Sequence, residues 1–191
     1  MTLSQQAGRP VVLAGAVVLA AAVTVLTAAG IGGAADTPAP KAGPIAILAT
    51  LGGGPSAKIV VAGAIGDWGT ALTIDKDGKP DPNGDYVQVT LKKGGFEIDS
   101  TALNKKTANP RPQVASDATC SVSASGTAPV TLLDGTGLYK GISGTVQATL
   151  TFTGIGGRYQ SGPKKGQCQK GHGTPLATLG TVLGRGDVRF G

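Results

Sequence analysis

The chain has 191 residues, a formal charge of +6 and a hydrophobic content of 40%, but only 4% aromatic residues. That length suits one domain with a real core. One Trp, three Tyr and three Phe among scattered basic residues are too few to stack on bases, so no nucleic-acid role is expected.

Residues 1–35 differ from the rest. Arg9 is their only charged side chain, and residues 11–35 are apolar and small, ending Gly33-Ala34-Ala35 before Asp36. This reads as a secretory signal helix with a small-x-small cleavage site after Ala35. The run is also long enough, at about 20 residues, to span a bilayer, which leaves an uncleaved anchor as the alternative. Its Ala and Gly content and the lack of a positive stop signal favour cleavage. No cysteine sits near the junction for lipid attachment, and no twin arginine is present, so ordinary export is the simpler route. The expected location is secreted or on the extracellular face of the cell envelope, touching membrane only through this segment. Residues 36–44, with three prolines, read as a linker.

Residues 45–191 are a train of short strands. Candidates are 45–51, 58–65, 70–74, 85–91 and 95–99. In 85–91, Val87, Val89 and Leu91 share one face. In 95–99, Phe96 and Ile98 point inward, which sends the carboxylates of Glu97 and Asp99 outward. Residues 100–118 are polar, hold Pro110 and Pro112, and read as a long loop. Strands follow at 120–124, 130–133 and 145–153, the last with Val146, Ala148, Leu150 and Phe152 on one face. Residues 154–175 are a Gly- and Lys-rich loop, and 175–183 and 187–190 close the chain as strands. No segment after residue 35 sustains a 3.6-residue apolar period. The class is therefore all-β, a single antiparallel sandwich or barrel.

The stretch DGTGLYKGISG at 134–144 is the densest motif. A phosphate-cradling loop needs a following helix whose N–H groups point at the anion. Here Gly144 runs directly into a period-2 strand. Glycines in that setting mark bulges and bends that let a sheet curl and close. Gly135, Gly137, Gly141 and Gly144 therefore read as architecture, with Tyr139 packing or capping a barrel end through its hydroxyl. The pattern Gly135-Thr136-Gly137, Tyr139, Gly141, Gly144 before an alternating strand resembles the signature of the allene oxide cyclase and dirigent barrels. Similar stretches occur in small exported actinobacterial proteins. The resemblance covers about 20 residues and implies an eight-stranded antiparallel β-barrel with an apolar interior. The cyclase acts on an oxidised fatty-acid epoxide, and dirigent proteins steer the coupling of phenoxy radicals. The functional carboxylates and aromatics of those families have no residue-by-residue place on this chain.

Other polar groups carry weaker signals. Cys120 and Cys168 are an even count in an exported chain and imply a disulfide. The stretch 75–85 gathers Asp75, Asp77, Asp81, Asn83 and Asp85, but an EF-hand wants Gly at position six and Glu at position twelve. From Asp75 those positions are Pro80 and Tyr86, so the stretch reads as hairpin turn chemistry. His172 is the lone histidine, with no nucleophile motif beside it, and reads as solvated. Trp68, beside Asp67 at a turn, reads as packing into a barrel end, with stacking on a sugar as the other role. Lys164, Lys165 and Lys170 around Cys168 form a small basic loop able to meet an anionic cell-envelope polymer.

The reading that results is a secreted, disulfide-stapled β-barrel with a binding or cell-surface structural role and no cofactor. The alternative is a cyclase-like or isomerase-like enzyme that folds an apolar ligand in the lumen. An open apolar lumen with inward polar groups points to a small ligand, and a lumen filled by large side chains points to a structural part.

Overall fold

The computed structural model describes residues 39–51, 56–108, 112–169 and 175–191. The expected signal segment, the first three residues of the linker, Lys170 and His172 lie outside the described residues.

Strands β1 (Gly43–Leu51), β2 (Ser56–Gly63), β3 (Asp67–Ile74), β4 (Tyr86–Leu91) and β5 (Gly94–Asp99) follow in chain order, each paired antiparallel with the one before. A helix, α1 (Thr101–Thr107), comes next. Then come β6 (Pro112–Ser116) and three long strands, β7 (Ser121–Gly137), β8 (Ile142–Ile155) and β9 (Ala177–Phe190). The sheet order is β5-β4-β3-β2-β1-β9-β8-β7-β6. β5 also pairs with the C-terminal half of β7, Asp99 opposite Thr131. That contact closes eight strands into an antiparallel barrel, with β6 left outside the ring on the N-terminal end of β7.

Two loop and strand expectations are corrected here. Residues 100–118 are not a plain loop, since they hold α1 and β6. The expected strands 120–124 and 130–133 merge into one, β7, which starts at Ser121 and passes straight through Pro129. Proline is tolerated there because Pro129 faces Gln147 of β8 on one side, while β6 pairs only with residues up to Ala124 and β5 only from Thr131 on the other. The missing ladder partner is replaced by α1, which packs mainly on β7, with Thr107 lying against Gly126. The last two expected strands are likewise one, β9.

The pleat sorts side chains as the alternation implies. Ile45, Ile47 and Ala49 of β1 are buried, as are Val89 and Leu91 of β4 and Phe96 and Ile98 of β5. Burying such a side chain is worth roughly 1.5–3 kcal/mol, and this inner face is the main support of the ring. On β8 the inward face runs from Val146 through Ala148 to Leu150. It then leaves the barrel, so that Phe152, expected inside, is 43% exposed.

Candidate functional site

The two ends of the barrel differ. One is plugged. Gly66 turns the chain in a left-handed conformation into β3, and Asp67 takes the inward place of the pleat at 3% exposure. Its Oδ1 accepts from the Trp68 N–H at 2.8 Å and its Oδ2 from the Lys93 N–H at 3.0 Å. The Tyr139 hydroxyl donates to the same Oδ2 at 2.6 Å across 72 positions of sequence. Tyr139 is itself 1% exposed, and its ring stands at 90° to that of Phe96, centroids 6.2 Å apart. Burial disfavours the Asp67 charge. The Tyr139 hydroxyl and the Trp68, Lys93 and Lys92 N–H groups more than offset it and hold the carboxyl below its ordinary 3.8. Burial first, then the hydrogen bond and the negative charge of Asp67, push the Tyr139 phenol well above its ordinary 10.0. The pair is thus a fixed floor of phenol and carboxylate, and neither residue lines the cavity beyond it.

The glycine motif builds this floor. Register between β5 and β7 slips by one residue between Gly95 and Glu97, where Asp134 of β7 takes a φ of 51°. That is a β-bulge placed at the strand pair that closes the barrel. Gly135 follows, packed against the backbone of Tyr139, and the Thr136 hydroxyl accepts from the Gly95 N–H at 3.1 Å. Gly137, with φ +58°, and Gly141, with φ +76°, bracket the turn that swings Tyr139 back under the barrel. The Gly191 N–H donates to the Gly141 carbonyl at 3.1 Å, and Gly144 lies against the β9 backbone at Asp187. Tyr139 caps a barrel end through its hydroxyl, one of the two roles expected of it. Trp68 does not plug that end. It faces outward at 58% exposure, with the Lys92 Nζ 5.9 Å from its ring centre, because Asp67 holds the inward place beside it.

The other end is open. A cavity of about 750 Å³ runs down from it between the strands. Its walls are Ile47, Ile59, Val130 and Val146 deep down, and Leu150 and Val182 higher up. Space is left because inward positions on several strands are small: Ala49, Ala57, Ala71, Ala148 and Gly184 all line it. The mouth is framed by the 80–85 loop and α1, with Leu103 buried beneath the helix. This framework is tied down. The Asn104 Nδ2 donates to the Gly84 carbonyl and to the Asp85 Oδ1, each at 3.0 Å. The Ser100 hydroxyl donates to the Asp85 carbonyl at 2.8 Å, and the Asp99 Oδ1 accepts from the Thr101 N–H at 2.9 Å at the helix start.

Of the remaining sequence candidates, Asp81, Asn83 and Asp85 lie at the cavity mouth, and the others that are described fall outside the lumen wall. In the 75–85 loop the Asp75 Oδ1 accepts from the N–H groups of Asp77 and Lys79, and the Asp81 Oδ1 from that of Asn83, so these carboxylates shape turns. Among the described residues no group of three or more His, Cys, Asp or Glu side chains is arranged to hold a metal ion. Glu97 and Asp99 point away from the inward Phe96 and Ile98. Cys120 and Cys168 form a disulfide, with Cα atoms 5.4 Å apart. Arg158 braces the same region, donating to the carbonyls of Asp117, Ala118 and Gly166. Lys164 and Lys165 are exposed on that loop, the Lys164 Nζ 5.7 Å from the Tyr159 ring centre. Sequence reasoning missed the cavity wall and α1. The available signal was the set of alanines at inward strand positions.

Comparisons with protein-family models, with curated proteins and with solved structures return no match.

Proposed function

We propose that this protein works outside the cytoplasm and holds a small apolar molecule in its barrel lumen. The half-open lumen carries the reading. An eight-stranded barrel is just wide enough for its own side chains to fill. Here small residues keep about 750 Å³ empty, within the usual range of ligand pockets, roughly 300–1,000 Å³. A purely structural barrel has no use for that space, since voids cost stability. The disulfide supports an oxidising compartment.

The test is titration with a neutral fluorescent probe, N-phenyl-naphthylamine, against the protein and two variants that fill the lumen, Ala148→Leu and Ala71→Leu. Saturable binding that drops at least about tenfold in both variants, with circular dichroism unchanged, is the expected result, one tenfold step being 1.4 kcal/mol. Binding that is equal in all three proteins would remove the lumen as the site. The same apolar cavity also suits a cyclase-like or isomerase-like enzyme acting by confinement. Mass spectrometry of the bound molecule before and after incubation separates the two, because a carrier returns its ligand unchanged.

A further inference from the structure

The cavity is polarised along its axis. Its shaft is lined by aliphatic side chains, and its polar groups are gathered at the mouth, among them Thr73, Asp81, Asp85, Ser100, Asn104 and Thr107. Among the described lining residues the charged side chains are two, Asp81 and Asp85, and both are carboxylates. Each uses one oxygen internally, Asp81 for the Asn83 N–H and Asp85 for the Asn104 amide. The second oxygen of each accepts no hydrogen bond from a described residue. Both therefore offer acceptors where a molecule seated in the shaft would emerge. The ties from Asn104 and Ser100 to Gly84 and Asp85 hold the rim in place before anything binds, so little ordering is left for the binding step.

We infer that the lumen takes an amphiphile in one orientation, its apolar body inward and a hydrogen-bond-donating headgroup, a hydroxyl or an ammonium, against Asp81 and Asp85. The inference rests on the lumen-binding reading and adds the ligand's headgroup class. A hydroxyl donates one hydrogen bond to a carboxylate oxygen. A protonated amine donates as well and gains the attraction of two nearby negative charges. A carboxylate headgroup meets the same charges as repulsion and has no proton to donate.

The experiment displaces N-phenyl-naphthylamine from the full chain at pH 7 with decanol, decylammonium and decanoate, each below its aggregation limit. The tails are matched, so differences report the headgroup. Decylammonium is expected to bind at least as tightly as decanol, and decanoate about tenfold more weakly than either, a gap that narrows as salt screens the rim. Asp81→Asn with Asp85→Asn keeps the turn and Asn104 acceptors but removes both charges. In that double variant the free oxygens become amide NH2 groups, to which a hydroxyl can turn as acceptor, so decanol should lose little affinity while decylammonium loses and decanoate gains, closing the gap between them. Decanoate binding as well as decanol in the parent protein would overturn the headgroup inference and leave the lumen reading standing. Failure of the probe itself to bind, or displacement that Ala148→Leu does not affect, would overturn both.

Discussion

Asp67 and Trp68 show how one step of the pleat decides a role. Bulk and apolarity favour Trp68 for the inside of the barrel end. A strand points adjacent side chains to opposite faces, so only one of the two can face inward. Asp67 takes that place because the Trp68 and Lys93 N–H groups and the Tyr139 hydroxyl converge on it, and a buried carboxylate is tolerable only when so supplied. Those partners come from β3, the β4–β5 turn and the β7–β8 turn, which the sequence separates widely. Tyr139→Phe keeps the ring packed on Phe96 and removes one donor. It should cost about 1–3 kcal/mol, read as a lower urea midpoint at neutral pH. The pH dependence follows from the two shifts. The Asp67 value is lowered on folding, so its contribution is complete above its ordinary 3.8 and is lost as pH falls through the lower folded value. The Tyr139 value is raised, so its contribution is complete below 10.0 and is lost as pH rises beyond it. Urea midpoints measured across pH should form a plateau between those limits. In Tyr139→Phe the alkaline fall should shrink. An alkaline limb identical in both proteins would deny Tyr139 this part.

At the level of elements, the Gly-rich turn and the long strands it joins make the clearest case. Gly141 combines a left-handed φ of +76° with a Cβ position that runs into the backbone of Gly191. Gly162 has a nearly equal φ of +77° and nothing within 4 Å of its Cβ position. Alanine at Gly162 therefore measures the conformational cost alone, roughly 1–2 kcal/mol. Gly141→Ala should lower stability by more than Gly162→Ala in the same urea titration, because the β7–β8 turn must also shift off the C-terminus. Equal losses would mean that the contact with Gly191 yields freely. This motif was legible because positive φ and close backbone approach restrict a position to glycine, and because the period-2 pattern of β8 begins at once. The helix α1 was not legible. Its seven residues bury a single side chain, Leu103, so no period can form. Nor was the unbroken β7, since Pro129 is acceptable only where topology leaves one strand edge unpaired. The cavity mouth escaped for the same kind of reason. Asp81, Asp85, Ser100 and Asn104 meet only once the barrel has closed, and in sequence the two aspartates look like ordinary turn residues.

Across the whole molecule, β7, β8 and β9 run past the ring, pairing as far as Ser121 with Ile155 and Ile155 with Ala177. The disulfide lies beyond that overhang. Cys120 stands just before β7 with a φ of 53°, and Cys168 lies in the loop between β8 and β9, bridged to Arg158. Neither cysteine lines the cavity. The bond joins residues 48 positions apart. Cross-linking a loop of about 50 residues removes unfolded-state entropy worth roughly 4 kcal/mol. The full value appears only if the overhang unfolds together with the barrel, and the continuous β7, β8 and β9 ladders make it do so. Cys120→Ser with Cys168→Ser should therefore lower stability by up to roughly 4 kcal/mol, read as a lower urea midpoint in one cooperative transition. Binding of N-phenyl-naphthylamine to the folded variant should stay within about twofold, because nothing in the lumen wall is touched. A second, earlier transition would show that the overhang melts by itself. A large loss of probe binding at an unchanged midpoint would mean that the disulfide shapes the cavity and does not staple the fold.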